Sequence, residues 1–442
     1  METLDALGLP LSGADAGSLE FYEKGLGELQ RFAGDPVGSV DAAIALRPDF
    51  VMAHVLKGYL FGLSTDAEAM PTVQACHAAA QALPATERER GHVAALGALA
   101  AGEWHRAGEL LLAVSAQHPR DVLALQAGHQ VDFFTGNATL LRDRIARALP
   151  AWSDPMPGSH AVHAAYAFGL EENGDYAVAE RHGRHAVALE PRDGWGQHAV
   201  AHVMEMQCRQ SDGIAWMRGN EAGWTGDSFL QVHNWWHLAL FHYDLGDVDA
   251  VLALYDGHLA GVGPTLALNL VDASALLWRL HLGGVDVGDR WVGLADCWAP
   301  KAKAGNYAFN DMHAMMAFVG AGRDDSARDL LATQREAVLS GGDNASFTRD
   351  VGHPLTLAIA AFGEGRYADV VARIETIRAI AHRFGGSHAQ RDVVELTLIE
   401  AAIRAGLHDK ALALTLARES ARPTSPLSRL LRGRAESIAA RG

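Results

Sequence analysis

The chain has 442 residues, a hydrophobic fraction of 49% and a formal net charge of −16. That balance supplies an ample core but no basic face for a phosphate backbone, so nucleic acid is set aside as a partner. No apolar run reaches the ~18 residues a membrane helix requires. Cys76, Cys208 and Cys297 form neither a CxxC motif nor an even framework, and the first residues lack the basic and apolar regions of a signal peptide. A cytoplasmic, reducing setting is therefore expected.

Taken in order, the chain repeats one grammar: an amphipathic helix, a Gly-centred turn, a second helix ending in Ala-Leu, then a Pro-containing turn. It is visible in ALGALAAGEWHRAGELL from Ala95, in AYAFGLEENGDYAVAERHGRHAVALEP from Ala165 and in AAFGEGRYADVVARI from Ala360. Gly admits the left-handed conformation that ends a first helix, and a neighbouring Asp or Asn caps the second. First helices are placed near residues 51, 89, 121, 158, 193, 228, 265, 306, 351 and 387, with the small residue of the second helix at Ala179, Ala327 and Ala411. No alternating β pattern of any length competes. The expected fold is all-α: a right-handed α-solenoid of tetratricopeptide-like helix pairs, curled around a concave polar pocket. The expected division is an N-terminal helical segment (1–50), a continuous superhelix (51–420) and a C-terminal tail or helix (421–442) whose local basic charge reads as a solvated end.

Particular strings narrow the reading. FVMAHVLKGYL, HPRDVLALQAGHQVDFFTG, AFGLEENGDY, HAVAHVMEMQ, HNWWHLALFHYDLGD, DASALLWRLHL, FNDMHAMMAF and GGSHAQRDVVELTLIEAA run from about residue 50 to residue 405. Together they resemble the tetratricopeptide repeat protein 38 family. The resemblance implies a helical-repeat fold and carries no settled activity with it. At Cys208 the chain departs from the Gly expected at a turn.

Those strings place His, Asp, Glu, Asn and Trp where generic repeats carry small apolar residues. His198 and His202, and again His233 and His237, stand four residues apart, one helical turn on a common face, and the two pairs are 35 residues apart. Trp195 and Glu205 extend the first stripe. Three readings stay open: rings that bridge packed helices by hydrogen bonds, a ligand site, or a metal site in which zinc takes His198, His202, His233 and His237. No HExxH motif supplies a built-in base.

Further polar insertions follow. Asp311 and His313 interrupt an apolar helix, which leaves two readings open, groups of a site or an N-cap at Asn310 or Asp311; Asp272 is open to the same two, with Arg279 about two turns on as its candidate partner. His388, Arg391 and Asp392 follow a Gly-Gly turn at a helix start, an arrangement suited to an anion or to capping with an Arg–Asp pair. His353 is placed at a similar entrance. His129 with Asp132, and Glu171 with Glu172, add groups from earlier repeats. Of Trp235 and Trp236, adjacent and so about 100° apart on a helix, one packs and Trp236 faces the groove.

The functional expectation is a concave pocket for a small polar ligand, with C-terminal repeats brought over the middle ones. Catalysis there would be hydrolytic or eliminative, with His233 or His237 as base, His198, His202, Asp311 and His313 in support, and Arg391 as anion anchor. No cofactor is expected, zinc being the alternative. The competing reading is an interaction scaffold holding a peptide in the groove, and a homodimer is the candidate assembly.

Overall fold

The turn inside each helix pair is closed by a residue in the left-handed region. Thr65, Gly102, Gly136, Gly174, Cys208, Gly246, Gly284, Gly322, Gly365 and Gly406 all have positive φ. From Gly102 onward the residue after each reaches back five positions, as in Glu103 N–H to the Ala98 carbonyl (2.9 Å), Asp175 to Leu170 (2.9 Å), Arg209 to Met204 (2.8 Å) and Leu407 to Ala402 (3.0 Å). This Schellman arrangement satisfies carbonyls the helix leaves open and turns the chain back on itself. The second helix then starts on a side-chain cap in several pairs: Asn137 accepts from Leu140 N–H and Asp247 from Ala250 N–H.

The computed structural model describes residues 3–260, 266–303 and 305–439. Among them the structure is all-α, with only two isolated bridges, Leu4 with Pro10 and Ala33 with Ser228. Helices pair along the chain: Ala16–Arg31 with Pro36–Leu46, Val51–Gly62 with Met70–Gln81, Glu87–Ala100 with Trp104–Gln117, Val122–Phe134 with Ala138–Ala148, and Ser159–Glu171 with Tyr176–Leu189. Gly194–Met206, Gln210–Gly219, Gln231–Leu245 and Val248–Leu254 come next in the chain; then Ala267–Leu282 pairs with Arg290–Lys301, Ala308–Gly320 with Asp324–Ala337, His353–Gly363 with Tyr367–Ile377, and His388–Arg404 with His408–Ala421, before Pro426–Ala439. Observed first helices begin within a few residues of the expected starts. No helix among the described residues is long and apolar enough to cross a membrane.

The chain forms two compact units: residues 1–203 with 220–231, and residues 204–219 with 232–442. In the first, first helices are wholly buried along one side and carry their polar residues inward in pairs. Asp132 takes two hydrogen bonds from Arg144 (2.7 and 3.0 Å), and Asp121 holds both Arg88 and His92 at 2.8 Å. Helices approach closely where Gly permits: a Cβ on Gly169 would lie 2.6 Å from the Leu141 carbonyl. Ala179 and Ala411, the small residues of two second helices, are fully buried; Ala327 is half-buried.

In the second unit the core is large and aromatic, with Trp236, Trp278 and Trp298 fully buried. Trp278 Nε1–H donates to Thr397 Oγ1 (3.0 Å) and Trp298 Nε1–H to Ser274 Oγ (2.8 Å), so each indole buries its ring and still satisfies its polar edge. The first of these bonds ties the Ala267–Leu282 helix to His388–Arg404, over 119 residues of sequence. The C-terminal helix is not a solvated end: Ser428, Leu431 and Ala435 are buried. Residues 440–442 of the expected tail lie outside the described residues.

Candidate functional site

The two turn-spaced His pairs belong to different units, and each has carboxylate partners in its own. In the first unit His198 and His202 are buried with their rings 4.4 Å apart, edge to face. His202 Nδ1 lies 3.4 Å from Glu171 Oε2, both side chains fully buried. Trp195 stacks on Phe32 (5.2 Å, 16°) and meets His198 at 4.5 Å. Beside it a small pocket, about 250 Å³ including open solvent, is lined by Gln126, His129 and Trp195 among others. Gln126 Oε1, His129 Nε2 and Trp195 Nε1 are buried there without a protein partner. Its enclosed part has room for about one water, and three polar edges around so small a space are what a buried water satisfies. His129 Nδ1–H donates to the Leu141 carbonyl (3.3 Å), and burial, the largest influence, pushes its pKa down to about 3.

The second unit gathers most of the candidates. His233 Nδ1 is 2.8 Å from Asp272 Oδ2, and His237 Nδ1 is 3.2 Å from Glu205 Oε2. The two rings are 4.9 Å apart, and the indole of Trp236 stacks on His233 (5.3 Å, 16°) and meets His237 edge to face at 4.9 Å. Over Trp236, 5.4 Å from its ring, sits the guanidinium of Arg279. Arg279 is 2% exposed, and its hydrogen bonds go to the Ala275 carbonyl (3.1 Å) and the Ala389 carbonyl (2.7 Å). Burial lowers its pKa; Asp392 and Glu205 oppose that at longer range.

Several expected pairings are corrected. Asp272 serves His233, not Arg279, because the neighbouring first helix is nearer its carboxyl than a residue two turns along its own. The N-cap of the Asp311 helix is Tyr307, leaving Asn310 and Asp311 in the first turn, turned inward. Asp311 accepts from Gln334 Nε2 (3.3 Å), which also donates to Thr356, while Gln334 Oε1 accepts from His353 Nδ1–H (2.9 Å). Burial pushes the Asp311 carboxyl up to about 7. His313 is fully buried, donates to the Phe309 carbonyl (2.8 Å), and is held down to about 4 chiefly by desolvation. Trp236 is fully buried, and Trp235 is buried too, stacked on His258 at 3.8 Å.

The helix start at His388 is not an open anion site either. Ser387 and Gln390 close it as a reciprocal capping box, and Arg391 donates to the Gly386 carbonyl. Asp392 pairs not with Arg391 but with Arg418, through two bonds of 2.6 and 3.0 Å. Burial alone would raise the Asp392 carboxyl, yet Arg418 and Arg422 hold it far below the usual range. The residue sequence reading undervalued is Arg279: an arginine inside an otherwise apolar first helix was the available signal, and assigning it to Asp272 hid it.

No family model matches the chain. Among solved structures it is similar to a human IFIT1 dimer with m7Gppp-AAAA, at TM-score 0.43 and 15% identity over 97% of this chain and 96% of that one. A monomeric IFIT1 mutant with Gppp-AAAA gives TM-score 0.41 and 14% identity over 96% and 95%. Likeness at that level carries no argument about the site, which rests on this chain's own residues.

Proposed function

We propose that the protein is a tetratricopeptide-type receptor for a small anionic or strongly polar molecule, bound in the second unit beside Arg279, Trp236 and His233, and that it belongs with the protein 38 family its strings resemble. The observation that carries the reading is Arg279. A guanidinium 2% exposed, hydrogen-bonded to two carbonyls and, among the described residues, without a carboxylate at ion-pair distance, is a buried charge compensated only at a distance. Such an arrangement is costly unless something else supplies the counter-charge, and it concentrates at functional sites. A ligand carboxylate or phosphate supplies it in the fork geometry that arginine prefers.

His233 adds chemistry to binding. Asp272, itself buried, accepts from Nδ1–H and so fixes the tautomer and orientation of the imidazole, leaving Nε2 as its free acid–base position, while the stacked Trp236 fixes the ring plane. An oriented imidazole with a buried carboxylate behind it is the acid–base unit of hydrolytic and eliminative enzymes. His237 with Glu205 repeats the pairing one turn along and lends support to the first ring.

The test is thermal-shift and calorimetric titration with acetate, succinate and inorganic phosphate. At least one of these is expected to stabilise the protein, with affinity falling tenfold or more in Arg279→Met while His233→Gln still binds. Turnover of a molecule that binds should fall by about 10²–10⁴ in His233→Gln. If no anion binds, or Arg279→Met binds as tightly as the native chain, the reading is wrong.

A further inference from the structure

A second cluster of ligating atoms lies wholly in the first unit, on the hairpin formed by Ser159–Glu171 and Tyr176–Leu189 and the loop before it. His163 comes from the first helix, His182 and His185 from the second, one turn apart, and Asp154 from the loop. The Nε2 atoms of His163 and His185 lie 3.7 and 3.0 Å from the same atom, Asp154 Oδ1. One ligating atom from each of the three falls within 4.8 Å of the others. Bond lengths of about 2.0–2.2 Å around a tetrahedral zinc separate its ligand atoms by roughly 3.3 Å, so the three are already spaced as neighbours on one ion.

We propose that Asp154, His163 and His185 form a binding site for a divalent first-row transition-metal ion, zinc by preference, with a fourth position open to water. Two imidazole nitrogens and one carboxylate oxygen are a donor set of the hardness zinc takes, and three protein ligands with one vacancy is the open form of such a site. The supporting shell is present. His163 Nδ1 is 2.9 Å from His182 Nδ1, and the two rings are stacked at 5.1 Å. A metal on His163 Nε2 selects the tautomer in which Nδ1–H donates to His182, the outer contact that orients a ligating histidine. The loop is pinned as well: the Asp154 carbonyl accepts from Ser159 Oγ (2.9 Å), and Trp152 Nε1–H donates to the Pro119 carbonyl (2.8 Å). His163 is also the least exposed of the three ligands, its side chain at 13% against 41% for His185 and 54% for Asp154, so the ion would sit on a buried ring with its other side toward solvent.

The experiment is equilibrium dialysis of the full-length protein against zinc chloride, counting bound metal, alongside cobalt(II) titration followed by visible absorption. The native chain is expected to hold an equivalent of zinc that His163→Ala and His185→Gln each lose, with circular dichroism and melting temperature of the metal-free variants unchanged. His182→Phe should keep the equivalent at 10- to 100-fold weaker affinity, an effect a purely structural His182 would not produce. Arg279→Met, in the other unit, should bind zinc as the native chain does. Equal zinc content in the native, His163→Ala and His185→Gln proteins, or no bound zinc in the native chain, overturns the site. So does zinc loss that accompanies unfolding of both variants and is absent from a folded Asp154→Asn chain.

Discussion

At the scale of single residues, the second unit holds a carboxyl in an unusual condition. Asp311 is 4% exposed, touches no cation, and is pushed up to about 7 by burial, with one hydrogen bond from Gln334 opposing. The folded chain therefore keeps the Asp311 proton up to about pH 7, whereas the unfolded chain releases it near 3.8. Between those values the folded state binds more protons, so this group's contribution to stability is greatest below pH 4, is lost as pH rises, and levels off above pH 7. Some 3 pKa units correspond to roughly 4 kcal/mol as an upper limit. Asp311→Asn keeps an acceptor for Gln334 and removes the charge. Urea unfolding should find the variant about 2 kcal/mol more stable at pH 8 and equal to the native chain near pH 4. His129 acts in the opposite sense, since a neutral imidazole held down to about 3 contributes stability above pH 6.5 that is lost as pH falls toward 3.

At the scale of the helix pair, the turn governs. Cys208 stands where every later equivalent turn, from Gly246 to Gly406, carries Gly, and its φ of 56° puts a side chain in the left-handed region. That conformation costs a non-glycine residue about 1–2 kcal/mol, partly offset by the lower entropy of Cys in the unfolded chain. Cys208→Gly should raise stability by about 0.5–1 kcal/mol, a rise of one to a few degrees in calorimetric melting temperature. The same turns explain what could be read from the sequence. A Gly that ends one helix and a Pro-bearing link that ends the next are local signals, so the starts at 51, 121, 158 and 193 were legible to within a residue or two. Partners were not. Asp272 looked toward Arg279 along its own helix, but the first helix of the neighbouring pair, 39 residues away in sequence, supplied His233 instead. Asp392 found Arg418 in the same way, 26 residues on. The His pairs were legible as pairs because one helical turn sets their spacing; their carboxylates were not, because no local rule fixes which repeat lies alongside. The Asp154 cluster escaped for a related reason: its ligands come from a loop and two helices and share no stripe.

At the scale of the whole chain, repeat stability accumulates from contacts between neighbouring helices, so each pair needs its outer apolar side covered. In the second unit Pro426–Ala439 caps the His408–Ala421 helix in this way. On it Leu431 and Ala435 are buried while Leu430 is 61% exposed, giving one apolar and one outward face. Its Arg434 makes two bonds of 2.8 and 2.9 Å to Glu400, a carboxylate 2% exposed that is also held by Arg404. Arg432 reaches Glu419 at 2.6 Å, and Ser425, just before the helix, donates to Asp244. The basic charge of this segment thus answers acidic groups of the preceding pairs, within a chain whose overall charge is −16. Ending the chain at Arg422 would uncover the apolar side of His408–Ala421 and leave Glu400 with half its counter-charge. Taking one of two cations from the buried Glu400, with the Arg434 side of the pair partly exposed, costs about 1–3 kcal/mol, and Leu431 adds about 2 kcal/mol of lost burial. The truncated chain should therefore unfold at a clearly lower urea concentration, whereas Arg434→Met alone, which spares the apolar contacts, should show a smaller loss. Equal midpoints for the native and truncated chains, followed by circular dichroism, would mean that this helix caps nothing.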